Sequence, residues 1–278
     1  MDNKQRWSGI LEQLKDVLTN AGIQKDIAIQ IGQQVSDRMS QEQPPTVAII
    51  GFTGVGKSTT LNALFNAGQA TSDFRPCTKT AADFIVDLKD YIGSKGTIKI
   101  YDMPGLGESI KEDERYYSLY ADVLPKADVI IWLFHTGDRA MTPMQTALIR
   151  LMSMIGPEFT ERLLFAVNKA DAIAPGELAW NTKFNIPSKE QVDNLDEFSK
   201  YVRERICEVL PDWDGPVVLY SAKRRYHLEQ LMTAMVECMP EKRRWVMDDL
   251  ADVAAYEDLI DPEYRPYIEQ LRNRAQRE

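Results

Sequence analysis

Cysteine and histidine are scarce in this chain, with three of the first and two of the second among 278 residues. Cys77, Cys207 and Cys238 show no CxxC spacing, and their odd number argues against a disulfide framework. His135 and His227 have no second ligand near them in sequence, so no metal role is expected of them. A long apolar run is also missing. The longest, Ala127–Phe134, already contains Asp128, whereas a helix that spans a bilayer needs about 20 apolar residues. Integral membrane association is therefore not expected. Met1 to Trp7 hold no signal-peptide core, Asp2 stands where myristoylation needs glycine, and Arg277-Glu278 is no prenylation box. The expectation is a cytoplasmic protein. Positive charge is in deficit as well, with 33 Lys and Arg against 42 Asp and Glu and a net charge of −9. Nucleic acids and anionic membranes both reward clustered basic residues, so neither is expected as the main partner.

What is present is an ordinary globular composition, 44% hydrophobic and 27% charged, long enough for one to two domains. Residues 1–43 read as amphipathic helices, with apolar positions at Trp7, Ile10, Leu11, Leu14, Val17 and Leu18, then Ile23, Ile27, Ile31 and Val35. Gln43-Pro44-Pro45 punctuates a change of pattern. Strand candidates follow at Thr46–Ile50, Ala82–Leu88, Thr97–Tyr101, Asp128–Phe134, Leu163–Val167 and Pro216–Leu219. Helical stretches fall near Lys57–Ala67, Glu108–Val123, Pro143–Met154, Lys189–Val209 and His227–Cys238. This alternation predicts an α/β fold over 44–240 with a mostly parallel six-stranded sheet and helices on both faces. The second and third strands have the spacing of an antiparallel hairpin at one edge. Residues 241–278 form a C-terminal helical extension with an acidic middle, Asp248–Glu263, and a basic end at Arg265–Arg277.

The strongest motif is Gly51-Phe52-Thr53-Gly54-Val55-Gly56-Lys57-Ser58, a GxxxxGK[ST] loop between a strand and a helix. Its glycines allow positive φ, so that successive N–H groups from Thr53 to Thr59 turn toward one phosphate. The helix that follows offers its positive end to the same anion. Lys57 is expected to reach the β- and γ-phosphates, and the Ser58 hydroxyl to ligate Mg²⁺. Asp102-Met103-Pro104-Gly105 comes directly after the third strand. Its aspartate is placed to hold Mg²⁺ through water, and the Gly105 N–H to meet the γ-phosphate.

Asn168-Lys169-Ala170-Asp171 follows the fifth strand and Ser221-Ala222-Lys223 the sixth. Asp171 can accept hydrogen bonds from N1–H and the 2-amino group, a donor pair that guanine has and adenine lacks. A site built this way leaves a buried carboxylate unpaired with the wrong base, so it discriminates strongly. Asn168 is expected at N7, the Lys169 stem over one base face, and the Ala222 N–H at O6. The ligand implied is GTP or GDP with Mg²⁺.

These four motifs in this order resemble the G boxes of the Era-like P-loop GTPases of the translation-factor class, and more closely the bacterial YfjP/YkfA-type GTPases. The likeness runs from about Val47 to Pro240 and includes Pro76-Cys77-Thr78-Lys79 and Asp102 to Ser109. It implies a Ras-like G domain. It also implies that Thr78 is the switch threonine, binding Mg²⁺ and γ-phosphate in the triphosphate state only, with Thr80 the alternative. Lys57, Thr78 and Gly105 would then act on the transferred phosphate.

One position departs from the Ras-like pattern. Leu106 stands where a glutamine orients the attacking water, and an apolar side chain cannot do so. Slow intrinsic hydrolysis is expected, with the missing group coming from switch I, from an arginine such as Arg75, or from a second molecule. Four roles stay open. They are a slow conformational switch acting on an unknown effector, a ribosome- or RNA-associated factor, a GTPase that self-assembles as a homodimer or on a membrane, and, from Leu106, a pseudo-GTPase that binds GTP without hydrolysing it. The acidic tail, with no GxxG clamp, weighs against RNA. The long stretch Ile173–Ser188 reads either as a mobile partner-binding segment or as an irregular cap.

Overall fold

The computed structural model describes residues 19, 24–31, 34, 44–65, 82–87, 97–138 and 140–240. The chain divides into two compact units. The smaller takes in residues 1–44, 88–96 and 241–278. Its described part is helical at 25–31, with Ala28 and Ile31 buried and Ile27 half-buried. Residues 19 and 34 are helical too; apart from these and residues 24–31, the two terminal extensions lie outside the described residues, as do Thr78, Thr80, Arg75 and Cys77.

The larger unit, Pro45–Asp87 with Thr97–Pro240, is built on one six-stranded sheet. Its strands are β1 (Thr46–Gly51), β2 (Ala82–Asp87), β3 (Thr97–Asp102), β4 (Val129–His135), β5 (Leu163–Asn168) and β6 (Val217–Leu219), in the order β2-β3-β1-β4-β5-β6. Five run parallel, and β2 pairs antiparallel with β3 at the edge, as the hairpin spacing predicts. β1, β4 and β5 are near-continuous apolar runs. Strands buried on both faces between helices need that pattern, because neither face meets water.

Helices α1 (Lys57–Phe65), α2 (Ile110–Val123), α3 (Thr142–Ile155), α4 (Lys189–Cys207) and α5 (Leu228–Glu237) connect or flank the strands. Their ends follow local chemistry. Ser109 caps α2 by accepting the Glu112 N–H at 3.2 Å, so this helix starts two residues later than its apolar pattern suggests. Gly156, at φ 88°, ends α3. Ser188 and Gln191 form a reciprocal capping box at α4. Beneath α2 and α3 the core closes around Trp132, Phe134 and Phe165, with Trp213 set edge-on to Phe165 at 5.0 Å.

Because β1, β3, β4, β5 and β6 run the same way, their carboxyl ends share one rim. β1 lies between β3 and β4, so the chain leaves it in opposite directions across the sheet, and the crevice at such a reversal is where α/β sheets bind ligands. Asp102, Asn168 and the loop after Gly51 all lie on this rim.

Candidate functional site

At the phosphate end, β1 runs into the loop Gly51–Gly56 and α1 begins at Lys57. Gly51 is at φ 146°, and a Cβ there would lie 2.3 Å from the Leu133 carbonyl oxygen, so no side chain fits between β1 and β4. Gly56, at φ 98°, leaves no room for a Cβ either, since it would meet Asn168 Nδ2 at 2.4 Å. The loop is thus pressed against the residue that begins the base-reading motif.

Lys57 bends back over this loop, donating from Nζ to the carbonyls of Gly51 at 3.2 Å and Phe52 at 3.1 Å. Burial lowers its ammonium to about 8, against the opposing pull of Asp102 and Glu108. Asp102, 7% exposed at the end of β3, shows the converse. Burial raises its carboxyl to about 6, and Lys57 holds it down only in part. A buried carboxylate and the Ser58 hydroxyl in the first turn of α1 are hard oxygen donors, the set Mg²⁺ takes. The ion would supply a countercharge that favours the ionised form of the Asp102 carboxyl.

The segment after Asp102 lies on the phosphate loop. Leu106 donates its N–H to Gly51 O at 3.2 Å and accepts the Thr53 N–H at 2.8 Å, while Thr53 Oγ1 donates to Gly105 O at 3.2 Å. A Cβ on Gly105 would meet Lys57 Nζ and Thr53 Oγ1, each at 2.7 Å. Only glycine brings this backbone against the lysine. The Leu106 side chain is 1% exposed and packs in the core. The sequence places the Thr53 N–H on phosphate; here it serves the Leu106 carbonyl, so this donor reaches an anion only after Leu106 moves.

At the base end, Lys169 takes a left-handed conformation, φ 62°, where the chain leaves β5. Asn168 bridges three segments. Its Nδ2 donates to Val55 O at 3.2 Å, and its Oδ1 accepts the N–H groups of Lys169 at 2.8 Å and Ala222 at 3.1 Å. One amide hydrogen of Asn168 remains for a base nitrogen. The Ala222 N–H, expected at guanine O6, is engaged by Asn168. Asp171 is 1% exposed and accepts from Ser221 Oγ at 2.6 Å through Oδ1. Its Oδ2 has no hydrogen-bond partner, and Arg224 Nε stands 3.6 Å away, also unbonded. An unsatisfied buried carboxylate oxygen costs about 1–3 kcal/mol or more. A base carrying an N–H beside an amino group removes that cost.

Residues 46–169 match the family described as 50S ribosome-binding GTPase. YkfA of Escherichia coli (strain K12) is 31% identical over 222 residues, covering 76% of this chain and 69% of its own. YfjP of the same strain is 29% identical over 235 residues, covering 84% and 74%. The chain belongs to the Era-like P-loop GTPases, in the group of YfjP and YkfA. Crystalline Toc33 from Arabidopsis thaliana, in complex with GDP and Mg²⁺, shares the fold at a TM-score of 0.50 and 19% identity, over 79% of this chain and 93% of that one. As an Era-like GTPase the protein binds guanine nucleotide and hydrolyses GTP. Among the described residues, no helix is long and apolar enough to cross a membrane.

Several side chains that build this GTPase's site carry no motif. Thr60 Oγ1 donates to Gly56 O at 2.8 Å and lies 2.6 Å from the Tyr220 hydroxyl, tying α1 to the loop after β6. Gln191, fully buried, donates to the carbonyls of Asp171 and Gly176, both at 3.2 Å. Only Gln191 had a signal in sequence, the Ser188-x-x-Gln191 capping box. Trp180 lies buried within Ile173–Ser188, a stretch of short turns that also exposes Leu178, Phe184 and Ile186.

Proposed function

We propose that this GTPase is a conformational switch that turns over GTP slowly on its own. The observation that carries the reading is Leu106. Its side chain is in the core and its main chain is bonded to the phosphate loop, so the position after Gly105 offers nothing to orient water. The same bonds support the switching. A γ-phosphate that claims the N–H groups of Thr53 and Gly105 competes with the Leu106 carbonyl and draws the segment before α2 into a second arrangement.

In this reading the N–H groups of Thr53, Gly54, Val55, Gly56, Lys57, Ser58 and Thr59, with the Lys57 ammonium, hold the phosphates. Ser58, Asp102 and, in the triphosphate state, Thr78 hold Mg²⁺, which when bound neutralises charge between the β- and γ-phosphates. Asn168, Lys169, Asp171, Ser221, Ala222 and Lys223 read the base. Lys223 is paired with Glu177 at 2.5 Å, which keeps its stem beside the base-reading loop. Residues 1–43 and 241–278 serve as helical extensions of the G domain at 44–240, through which an effector or a second copy would sense the switch. The protein works in the cytoplasm. RNA is not favoured as partner, given the net charge of −9.

The test is GTP turnover measured across protein concentrations, with and without Mg²⁺. Slow turnover, proportional to protein and abolished without Mg²⁺, is expected. A rise steeper than proportional means that a second molecule supplies the missing group. Fast turnover at low concentration overturns the reading.

A further inference from the structure

The cap Ile173–Ser188 supplies none of the residues assigned to the nucleotide, yet it is bonded to both base-reading loops, Glu177 pairing with Lys223 and the Ile173 N–H with Ala170 O. Gln191 reaches it from α4, donating to the carbonyls of Asp171, Ile173 and Gly176 at 3.2, 3.4 and 3.2 Å. Inside the cap, Trp180 is 3% exposed and sets its ring edge-on to Tyr226 at 5.1 Å. Its Nε1 donates to Asn185 Oδ1 at 3.2 Å. Asn185 in turn donates from Nδ2 to Arg224 O at 2.8 Å. The path then returns to the site, because the Arg224 N–H donates to Ser221 Oγ at 3.0 Å and that hydroxyl donates to Asp171 Oδ1 at 2.6 Å. The contacts form a closed ring from Asp171 through Gln191 and the cap to Ser221 and back.

A ring of this kind has a function that core packing does not require. Guanine is told from hypoxanthine by the 2-amino group alone, and that discrimination depends on how both Asp171 oxygens are aimed. Ser221 aims one of them. Arg224 fixes Ser221, and Asn185 fixes Arg224. A recognition group is accurate only when the residues behind it are locked by their own hydrogen bonds.

We propose that residues 173–188 are a bracket for guanine recognition, with Asn185 and Trp180 as positioning residues that set selectivity for the 2-amino group and the residence time of the nucleotide. This rests on the assignment of Asp171 to the base. The bracket explains why a stretch without strands or long helices keeps a tryptophan buried and an asparagine at φ 54°. It also marks the route by which a protein that shifts the cap would loosen GDP.

The experiment uses the full chain and two variants. Asn185→Asp keeps the size and the acceptor for Trp180 but removes the donor to Arg224 O. Trp180→Phe keeps a ring against Tyr226 and removes the donor to Asn185. Dissociation of fluorescent GDP, the affinity ratio of GDP to IDP, turnover at saturating GTP and the melting midpoint are read for each. Loss of one such bond is expected to speed GDP release about three- to tenfold. The GDP-to-IDP ratio is expected to fall about threefold, with turnover at saturating GTP within twofold of the parent. A ratio unchanged in both variants overturns the bracket, even if both nucleotides leave faster. Where Asn185→Asp lowers the melting midpoint, Trp180→Phe decides by the same ratio. A parent that binds GDP no better than IDP, or binds neither, overturns the base assignment instead, so the two failures are distinguishable.

Discussion

The two ends of the nucleotide site are held by different materials. The phosphate end is main chain, with glycines at positive φ and a switch segment joined to the loop through Thr53, Gly105 and Leu106. The base end is a network of buried side chains, in which Asn168, Asp171, Ser221 and Gln191 each bond to another segment. Main-chain bonds to a loop can be exchanged for bonds to an anion without repacking a core. Side-chain networks among buried groups are costly to leave half-satisfied, so they keep one arrangement. The contrast assigns the labour of a switch. One end holds the ligand in register, and the other changes with its charge.

The largest effect that would break this comparison comes from Asp171→Asn. It removes a carboxylate placed for two charge-assisted hydrogen bonds, each worth roughly 1.5–3 kcal/mol, and sets an amide donor against guanine's own donors. GDP affinity should fall at least about 100-fold and preference over adenine nucleotides should collapse, as read by competition against fluorescent GDP. Retained guanine preference would show that the base end is not where the network places it.

The next effect is electrostatic and belongs to the phosphate end. Asp102 must be ionised to hold Mg²⁺, and its carboxyl is raised to about 6. Affinity for the Mg²⁺–nucleotide should rise up to about tenfold per pH unit below 6 and level off above it. Without Mg²⁺, or in Asp102→Asn, that slope should vanish. Nucleotide-free stability takes the opposite sign. Because the folded value lies above the ordinary 3.8, the contribution is full below pH 3.8 and is lost as pH rises through about 6, roughly 3 kcal/mol in all. Lys57, lowered from 10.5 to about 8, adds stability again as pH rises above 8. Chemical denaturation of the nucleotide-free protein across pH reads both limbs.

A third prediction separates stability from chemistry. Leu106→Gln places an amide in the core, where an unpaired polar group costs about 1–3 kcal/mol, so the melting midpoint should fall. Turnover should stay within twofold of the parent, because the side chain at 106 faces the core and not the phosphate. A large gain in turnover would mean that the segment rotates its side chain outward when GTP binds.

The central strands of this fold are legible in sequence because a strand buried on both faces has no choice of residue. β1, β4 and β5 are apolar almost throughout, and their ends move by only a residue from the pattern. The motif residues are legible because phosphate and guanine impose their own chemistry on Gly56, Lys57 and Asp171. What lies behind them is not legible. Thr60 pairs with Tyr220 across 160 positions, and Asn185 with Arg224 across 39. Each looks like an ordinary polar residue, since the identity of a hydrogen-bond partner is set by the fold and leaves no periodicity. The start of α2 falls two residues late for a related reason, the Ser109 cap overriding the apolar pattern, whereas α1 and α4 begin where the pattern places them.

The smallest expected effect tests where the two ends meet. Thr60 spends its single hydroxyl proton on Gly56 O, so in the 2.6 Å contact with Tyr220 the tyrosine is the donor. Tyr220→Phe removes that donor, keeps the ring in its buried place and leaves Thr60 bonded to Gly56. The loss is about 1 kcal/mol, a fall of about 2–4 °C in melting midpoint for a protein of this size. If the bond also relays order from the base-reading loop to α1, GDP should leave roughly threefold faster in Tyr220→Phe, within the limit that 1 kcal/mol sets. A melting shift with no change in release would leave the two ends joined in stability but independent in binding. The main-chain half would then switch without loosening the half that reads the base.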